Sequence, residues 1–153
     1  MPVNKKQQYI SERRVARKLA LIAIYQWQMT DNSYEEIYTG IQEDKDLSSD
    51  MTKADMAFFQ ALVKGVIEKT AEIDEVLNPF LDRKADHLDQ IERAALRLST
   101  CELMNHPEVP YKVIVNESVN LTKKFGADQA HKFVNGVLDK VGAKLRVNEA
   151  ADK

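Results

Sequence analysis

The stretch that decides the fold of this chain runs from residue 109 to residue 138 and reads VPYKVIVNESVNLTKKFGADQAHKFVNGVL. Pro110 suits the first turn of a helix, because its ring fixes φ and no hydrogen bond is lost there. Residues that fit one helix face then recur at intervals of four, three and four: Ile114, Ser118, Leu121 and Phe125. Gly126 predicts the end of this helix in a left-handed conformation, and Asp128 predicts the cap of the next one. The apolar face of that second helix comprises Phe133, Val134, Val137, Leu138 and Val141. The stretch therefore predicts a tight helix–corner–helix.

The predicted corner carries cations interleaved with aromatic rings. Its members are Lys123, Lys124, Phe125, Lys132 and Phe133. Lysines neutralise phosphates, and exposed aromatic rings stack on unpaired bases, which is how single-stranded RNA is commonly held. Phe133 also lies on the apolar face of its helix, so packing in the core is as good an interpretation of this ring as stacking on RNA.

A second basic cluster lies near the N-terminus. Ser11 is expected to cap a helix that runs to about Met29. The inward stripe of this helix is expected to comprise Val15, Leu19, Ile22 and Met29. The cations gather on the other side, close to the predicted helix start: Arg13, Arg14, Arg17 and Lys18. Cations there oppose the helix dipole at a cost of about 0.3–1 kcal/mol each, so their presence favours an anionic ligand. Tyr25 lies further along nearly the same face as Arg14.

The rest of the chain predicts further helices and no strand. Ser33 and Glu36 form a capping box, and Asp89 with Glu92 opens another helix in the same way. Residues 42–50 are expected to be an acidic loop. Thr52 with Asp55 is expected to start a helix, and Pro79 to end or kink the one after it. About seven helical segments result. The predicted organisation is a flexible extension at 1–10, a single all-helical domain at 11–147 and a flexible tail at 148–153, frayed from Glu149 onward.

Composition favours a globular cytoplasmic protein. The 153 residues contain 44% hydrophobic and 30% charged residues. There is no signal-peptide pattern and no apolar run long enough to cross a membrane. The single cysteine, Cys101, excludes an internal disulfide and is expected to be buried.

The net charge of −2 conceals a segregation along the chain. Residues 1–30 carry +5, residues 31–110 carry −10 and residues 111–153 carry +3. Basic ends around an acidic middle suggest one polyanionic and one cationic partner. The alternative is solvated surface charge with no function.

Catalytic and metal-binding motifs are absent from the sequence. The three histidines have no metal-ligand spacing, and no GxSxG, HExxH, P-loop or CxxC pattern occurs. We therefore expect no enzymatic activity, no metal and no cofactor.

With these features in view, three segments of the chain resemble the NusB family of bacterial transcription antitermination factors. VPYKVIVNESVNLTKKFGADQAHKFVNGVLDK is similar to the C-terminal signature of the family, and RRVARKLALIAIYQWQ to its arginine-rich helix; LNPFLDRKADHLDQIERAALRLSTCELM fits the middle. The resemblance covers roughly residues 11–147. It implies an all-α NusB-type fold of about seven helices in two packed bundles. It also implies binding of the single-stranded boxA element of nascent ribosomal RNA transcripts together with ribosomal protein NusE. That complex joins elongating RNA polymerase and other Nus factors to suppress termination.

The resemblance also implies site residues. The RNA contacts would be Arg13, Arg14, Arg17, Lys18, Tyr25, Phe125, Gln129, Lys132 and Phe133. The NusE contacts would be Phe80, Asp86 and Glu92. Close relatives often carry an acid in place of Gln129, so this chain is expected to repel phosphate less.

Other functions account for parts of the sequence. Some ribosomal RNA methyltransferases carry a NusB-like domain at the N-terminus, but with the sequence ending at Lys153 we do not expect a cofactor-binding α/β domain. A helical adaptor that binds only proteins would not need the cations of the first helix. RNA chaperoning during ribosome assembly is compatible with boxA binding. Some relatives self-associate through the RNA-binding face, so the resemblance also implies a homodimer as an alternative assembly.

Overall fold

The computed structural model describes residues 4–82 and 88–151, which form α-helices and one short 3-10 turn. The helices are α1 (Lys5–Thr30), α2 (Tyr34–Glu43), α3 (Lys45–Met51), α4 (Met56–Glu68), α5 (Thr70–Leu77), α6 (Gln90–Asn105), α7 (Tyr111–Phe125), α8 (Ala130–Leu145) and α9 (Val147–Ala151), with the turn at Asn78–Phe80. The predicted all-α class is confirmed, and α3 and α9 add to the seven predicted helices. The chain divides into two compact units, Met1–Ile67 and Glu68–Lys153.

In the first unit, α1 begins earlier than predicted. The side chain of Asn4 accepts hydrogen bonds from the backbone N–H groups of Lys6 and Gln7 and so caps the helix. The prediction that Ser11 is the cap is therefore wrong. The basic cluster begins about two turns inside α1, whereas the dipole effect is confined to the first turn, so the dipole cost argued for it does not apply. Met29 is 56% exposed and does not face inward as expected.

The segment predicted as an acidic loop, residues 42–50, instead contains most of α3. The side chain of Asp44 caps this helix by accepting from the N–H groups of Asp46 and Leu47. Thr52 follows the end of α3, and Asp55 alone caps α4 by accepting from the N–H of Phe58 at 3.0 Å. The capping box at the start of α2 is confirmed. The fully buried large side chains of this unit are Leu19, Leu21, Ile24, Ile41, Phe59, Leu62 and Val63.

In the second unit, α6, α7 and α8 pack together around an apolar core. The predicted capping box at the start of α6 is confirmed, and the 3-10 turn that ends α5 contains Pro79. Cys101 is buried, as predicted, and burial raises the pKa of its thiol. The Arg97 guanidinium joins α6 to α5 through two hydrogen bonds of 3.0 and 2.8 Å to the Asp74 carboxylate.

Arg146 joins the end of α8 to the last turn of α6 and to the loop that precedes α7. Its guanidinium donates to the backbone carbonyls of Leu103, His106 and Val109 at 3.1, 3.0 and 2.9 Å. It also donates at 2.7 Å to Glu149, whose carboxylate accepts the backbone N–H of Tyr111, the first residue of α7. The expected fraying from Glu149 is therefore wrong for this residue.

No helix in the part of the chain that the structure describes is both long and apolar enough to cross a membrane.

Candidate nucleic-acid interface

The corner between α7 and α8 owes its geometry to two residues. Gly126 follows α7 in an extended conformation (φ −89°, ψ 172°), so the predicted left-handed conformation is wrong. Glycine is required there for space, because a Cβ would lie 2.7 Å from the Thr122 carbonyl oxygen. The left-handed residue is Gln129, with φ 70°. Asp128 does not cap α8 as predicted; its carboxylate accepts from the Gln129 side-chain amide at 3.2 Å.

This corner exposes cations beside two partly buried rings. Lys123, Lys124 and Lys132 are exposed, whereas Phe125 and Phe133 are half-buried. The ammonium of Lys124 lies 5.6 Å from the centre of the Phe125 ring. Phe133 is half-buried, so it is neither a fully buried core residue nor a fully exposed stacking platform.

A shallow depression at the corner brings together residues predicted for two different partners. It is lined by Glu92, Ala127, Asp128, Gln129, Ala130 and Phe133. Glu92, predicted to contact NusE, is only 5% exposed and belongs to the capping box of α6. It therefore adjoins Gln129 and Phe133, which were predicted to contact RNA. The predicted NusE contact Glu92 is therefore not separated in space from the predicted RNA contacts Gln129 and Phe133.

The other predicted NusE residues lie elsewhere or outside the described residues. Phe80 is half-buried in the 3-10 turn, and the Lys144 ammonium lies 5.8 Å from the centre of its ring. Asp86 falls in the segment 83–87, outside the described residues.

The cations of α1 differ strongly in their surroundings. Arg17 is only 5% exposed, and its guanidinium lies 5.2 Å from the centre of the Phe58 ring. The Lys18 ammonium forms an ion pair of 2.8 Å with Asp50. Arg14 is exposed. The expectation of an exposed face built by all four cations is therefore wrong for Arg17, because α4 covers it.

Arg13 contacts side chains that no local sequence pattern connects with it. Its guanidinium carbon lies 4.0 Å from the centre of the Phe58 ring and 4.7 Å from that of Tyr9. Its Nε lies 3.7 Å from the Asp55 carboxylate. Part of the acidic middle of the sequence thus pairs with the basic first helix inside this unit. Tyr25, the remaining predicted residue of α1, is half-buried.

Comparison with known proteins gives one consistent relationship. The NusB family model matches residues 14–143. The transcription antitermination protein NusB of Alteromonas mediterranea is 45% identical over 140 residues, covering 92% of this chain and 97% of that protein. The solved structure of T. maritima NusB superposes with a TM-score of 0.74 at 26% identity, covering 92% of this chain and 97% of that one.

A second solved structure contains a complex. It is the crystal structure of the antitermination factors NusB and NusE in complex with dsRNA, to which this chain is similar with a TM-score of 0.69 and 28% identity. The match covers 84% of this chain and 93% of that one. The matches in sequence and in fold agree over most of the chain. The chain therefore belongs to the NusB family.

Proposed function

We propose that this chain is a transcription antitermination protein, not an enzyme, that binds the boxA element of ribosomal RNA transcripts together with NusE. Family membership carries this proposal, since the relatives of similar length are antitermination proteins. The similarity to a NusB–NusE complex with RNA supports both partners. The complex would act on elongating RNA polymerase with the other Nus factors, in the cytoplasm and without a cofactor. Residues 11–147 would form the functional domain.

Each compact unit would contribute its own group of RNA contacts. In the second unit, Lys132 and the rings of Phe125 and Phe133 combine phosphate neutralisation with partial stacking. The side chain of Gln129 is exposed and uncharged at the corner. In the first unit, the exposed Arg14 is the cation best placed to reach phosphate. Arg17 and Lys18 would add positive potential on the same helix, with their charged groups beside Phe58 and Asp50.

The number of exposed cations sets the expected salt dependence. Lys123, Lys124 and Lys132 contribute three at the corner, and Arg14 contributes one more. Each phosphate neutralised on a single strand contributes about −0.7 to the slope of log affinity against log salt. Engagement of the corner alone therefore predicts a slope of about −2, and engagement of both groups one of about −3.

The NusE surface would include Phe80 and the acidic middle of the chain. NusE is expected to be basic, so an acidic surface favours its approach. Because Glu92 is buried in a helix cap beside the RNA corner, Glu92→Lys would disturb α6 as well as any partner. Phe80→Ala is the sharper change, and it should weaken NusE binding while leaving direct RNA binding largely intact. An equal loss of NusE binding and of RNA binding in this variant would contradict the proposal that the two partners bind separate surfaces.

The test is binding of the purified chain to a short boxA RNA, to a scrambled RNA and to boxA annealed to its complement. Each is titrated with and without NusE across a salt series. Selective binding of single-stranded boxA that strengthens with NusE is expected. Stronger binding of the annealed RNA would mean that the chain recognises double-stranded RNA and not single-stranded boxA. The absence of binding by a folded protein would overturn the proposal.

A matched pair of lysines localises the contact to the corner. Lys132 lies at the start of α8, and Lys140 is an exposed lysine two turns further along the same helix. Lys132→Ala should weaken boxA binding and make the salt slope shallower by about 0.7, whereas Lys140→Ala should change neither.

A further inference from the structure

The N-terminal turns of α1 carry an exposed aromatic ring, that of Tyr9. Tyr9 is not among the residues proposed above to contact RNA. Tyr9 is 49% exposed, although it is a large aromatic residue in the second turn of a helix. One turn later, the Arg13 guanidinium lies 4.7 Å from the centre of this ring. The same guanidinium lies 4.0 Å from the ring of Phe58, which is 3% exposed. Arg13 thus links an exposed ring to a buried one.

This linkage restrains the exposed ring. A guanidinium over an aromatic face is attracted by the ring quadrupole, and its planar shape stacks on the ring. The Asp55 backbone N–H donates to the Glu12 carbonyl at 3.0 Å and joins this part of α1 to the start of α4. The Asp55 carboxylate lies 3.7 Å from the Arg13 Nε, an ion pair without a hydrogen bond. The guanidinium beside the Tyr9 ring restrains that ring, which lowers the entropic cost of stacking a ligand on its exposed side.

The charges around Tyr9 favour a polyanion. Lys5 and Lys6 are exposed in the first turn of α1, which contains no acidic residue. The nearest acid in the sequence, Glu12, accepts a hydrogen bond from the Gln8 side chain at 3.4 Å. Arg14 follows on the same helix and continues the basic surface proposed above to contact RNA.

We propose that Tyr9, with Lys5 and Lys6, forms an additional stacking subsite for a single-stranded nucleotide flanking the boxA element. The proposal rests on the RNA-binding function proposed above. Single-stranded RNA is the ligand that supplies both a base for the ring and phosphates for the lysines. These residues precede the segment matched by the family model, residues 14–143, so the subsite is a feature of this chain beyond that segment.

The experiment compares two RNA probes on the full chain. One is a boxA RNA alone, and the other carries six additional uridines at its 5′ or its 3′ end. The uridine extension at one end should raise the affinity of the unaltered protein by about fivefold or more, as expected for one stacked base. Tyr9→Ala should abolish this gain and leave the affinity for the unextended RNA unchanged. Tyr9→Phe, which keeps the ring, should retain the gain.

Two further variants separate stacking from charge and from folding. Ile10→Ala removes a neighbouring side chain that is 40% exposed and should keep the gain. Arg13→Lys keeps the positive charge but loses the planar group, and it should reduce the gain. Circular dichroism of each variant verifies the helix content.

The outcomes distinguish this subsite from the main function. If the unextended boxA RNA binds but neither extension raises affinity, or if Tyr9→Ala retains the gain, the subsite is refuted while boxA binding stands. An acidic protein segment would then be the better candidate for this surface. If the unextended RNA does not bind, the proposed function itself fails.

Discussion

Replacing Gly142 by alanine should leave the chain less stable than the same change at Gly136, although alanine is the better helix former at both positions. A Cβ added at Gly142 would lie 2.6 Å from Cδ2 and 3.0 Å from Cε2 of the Tyr111 ring. Tyr111 is 3% exposed and its backbone N–H donates a hydrogen bond to the Glu149 carboxylate, so the ring has little room to move away. Gly136 lies in the same helix, and a Cβ there would meet nothing within 4 Å. It provides a matched control.

Both substitutions gain the higher helix propensity of alanine. They differ in whether the added methyl group has room to pack. Alanine in place of glycine stabilises an exposed helix interior by about 0.8–1 kcal/mol, which is the gain expected for Gly136→Ala. Gly142→Ala receives the same gain but must overpack the core, at about 1–3 kcal/mol. The two variants should therefore differ in free energy of unfolding by about 1–3 kcal/mol. That corresponds to melting temperatures about 2–12 °C apart for a chain of this size.

The assay is thermal and urea unfolding of both variants, followed by circular dichroism at 222 nm. Gly136→Ala should melt above the unaltered protein and Gly142→Ala below Gly136→Ala. Equal stability of the two variants would refute the close approach of α8 to Tyr111. Gly142→Ala should cost less when it is made in a Tyr111→Ala background than in the unaltered chain, because the ring atoms that meet the added Cβ are then absent.

Three other predictions concern the ends of α8. Arg146→Met should lower the free energy of unfolding by about 2–4 kcal/mol in urea titrations, because three backbone carbonyls lose a charged donor; unchanged stability would mean that water replaces it without loss. The hydrogen bond from Arg146 lowers the pKa of Glu149. The stabilisation is therefore present above the unfolded-state pKa of glutamate and is lost as the pH falls through the lower folded-state value. The stability difference between the unaltered protein and Glu149→Gln should accordingly shrink as the pH is lowered from about 5 to about 3, and a constant difference would contradict it. Gln129→Asp should weaken boxA binding in fluorescence titrations without unfolding the corner, since aspartate tolerates the left-handed conformation; unchanged or stronger binding would contradict the role of a neutral side chain there.

The sequence predicted those elements whose signals are local. The capping boxes that begin α2 and α6 were recognised because each cap is completed within four residues. α3 was missed because none of its residues is buried, so it has no apolar periodicity to detect. The start of α1 was misplaced because Asn4 and Ser11 are both good caps, and only the structure shows which side chain accepts the hydrogen bonds.

The candidate site was predictable in composition but not in arrangement. The cations and rings of the corner were found from their spacing in one continuous stretch. The burial of Arg17 and the pairing of Lys18 with Asp50 depend on residues far away in the sequence, which no local pattern reports. The position of Glu92 beside Gln129 likewise arises only when α6 packs near the corner.

The central claim is that this chain promotes antitermination through boxA RNA, and terminator read-through measures it most directly. RNA polymerase with NusE and the other Nus factors would transcribe a template that carries boxA upstream of a terminator, with and without this chain. A control template carries a scrambled boxA. We expect the chain to increase read-through on the boxA template only, and to lose most of this effect with Lys132→Ala but not with Lys140→Ala. Equal read-through on both templates, or no increase on either, would contradict the claim.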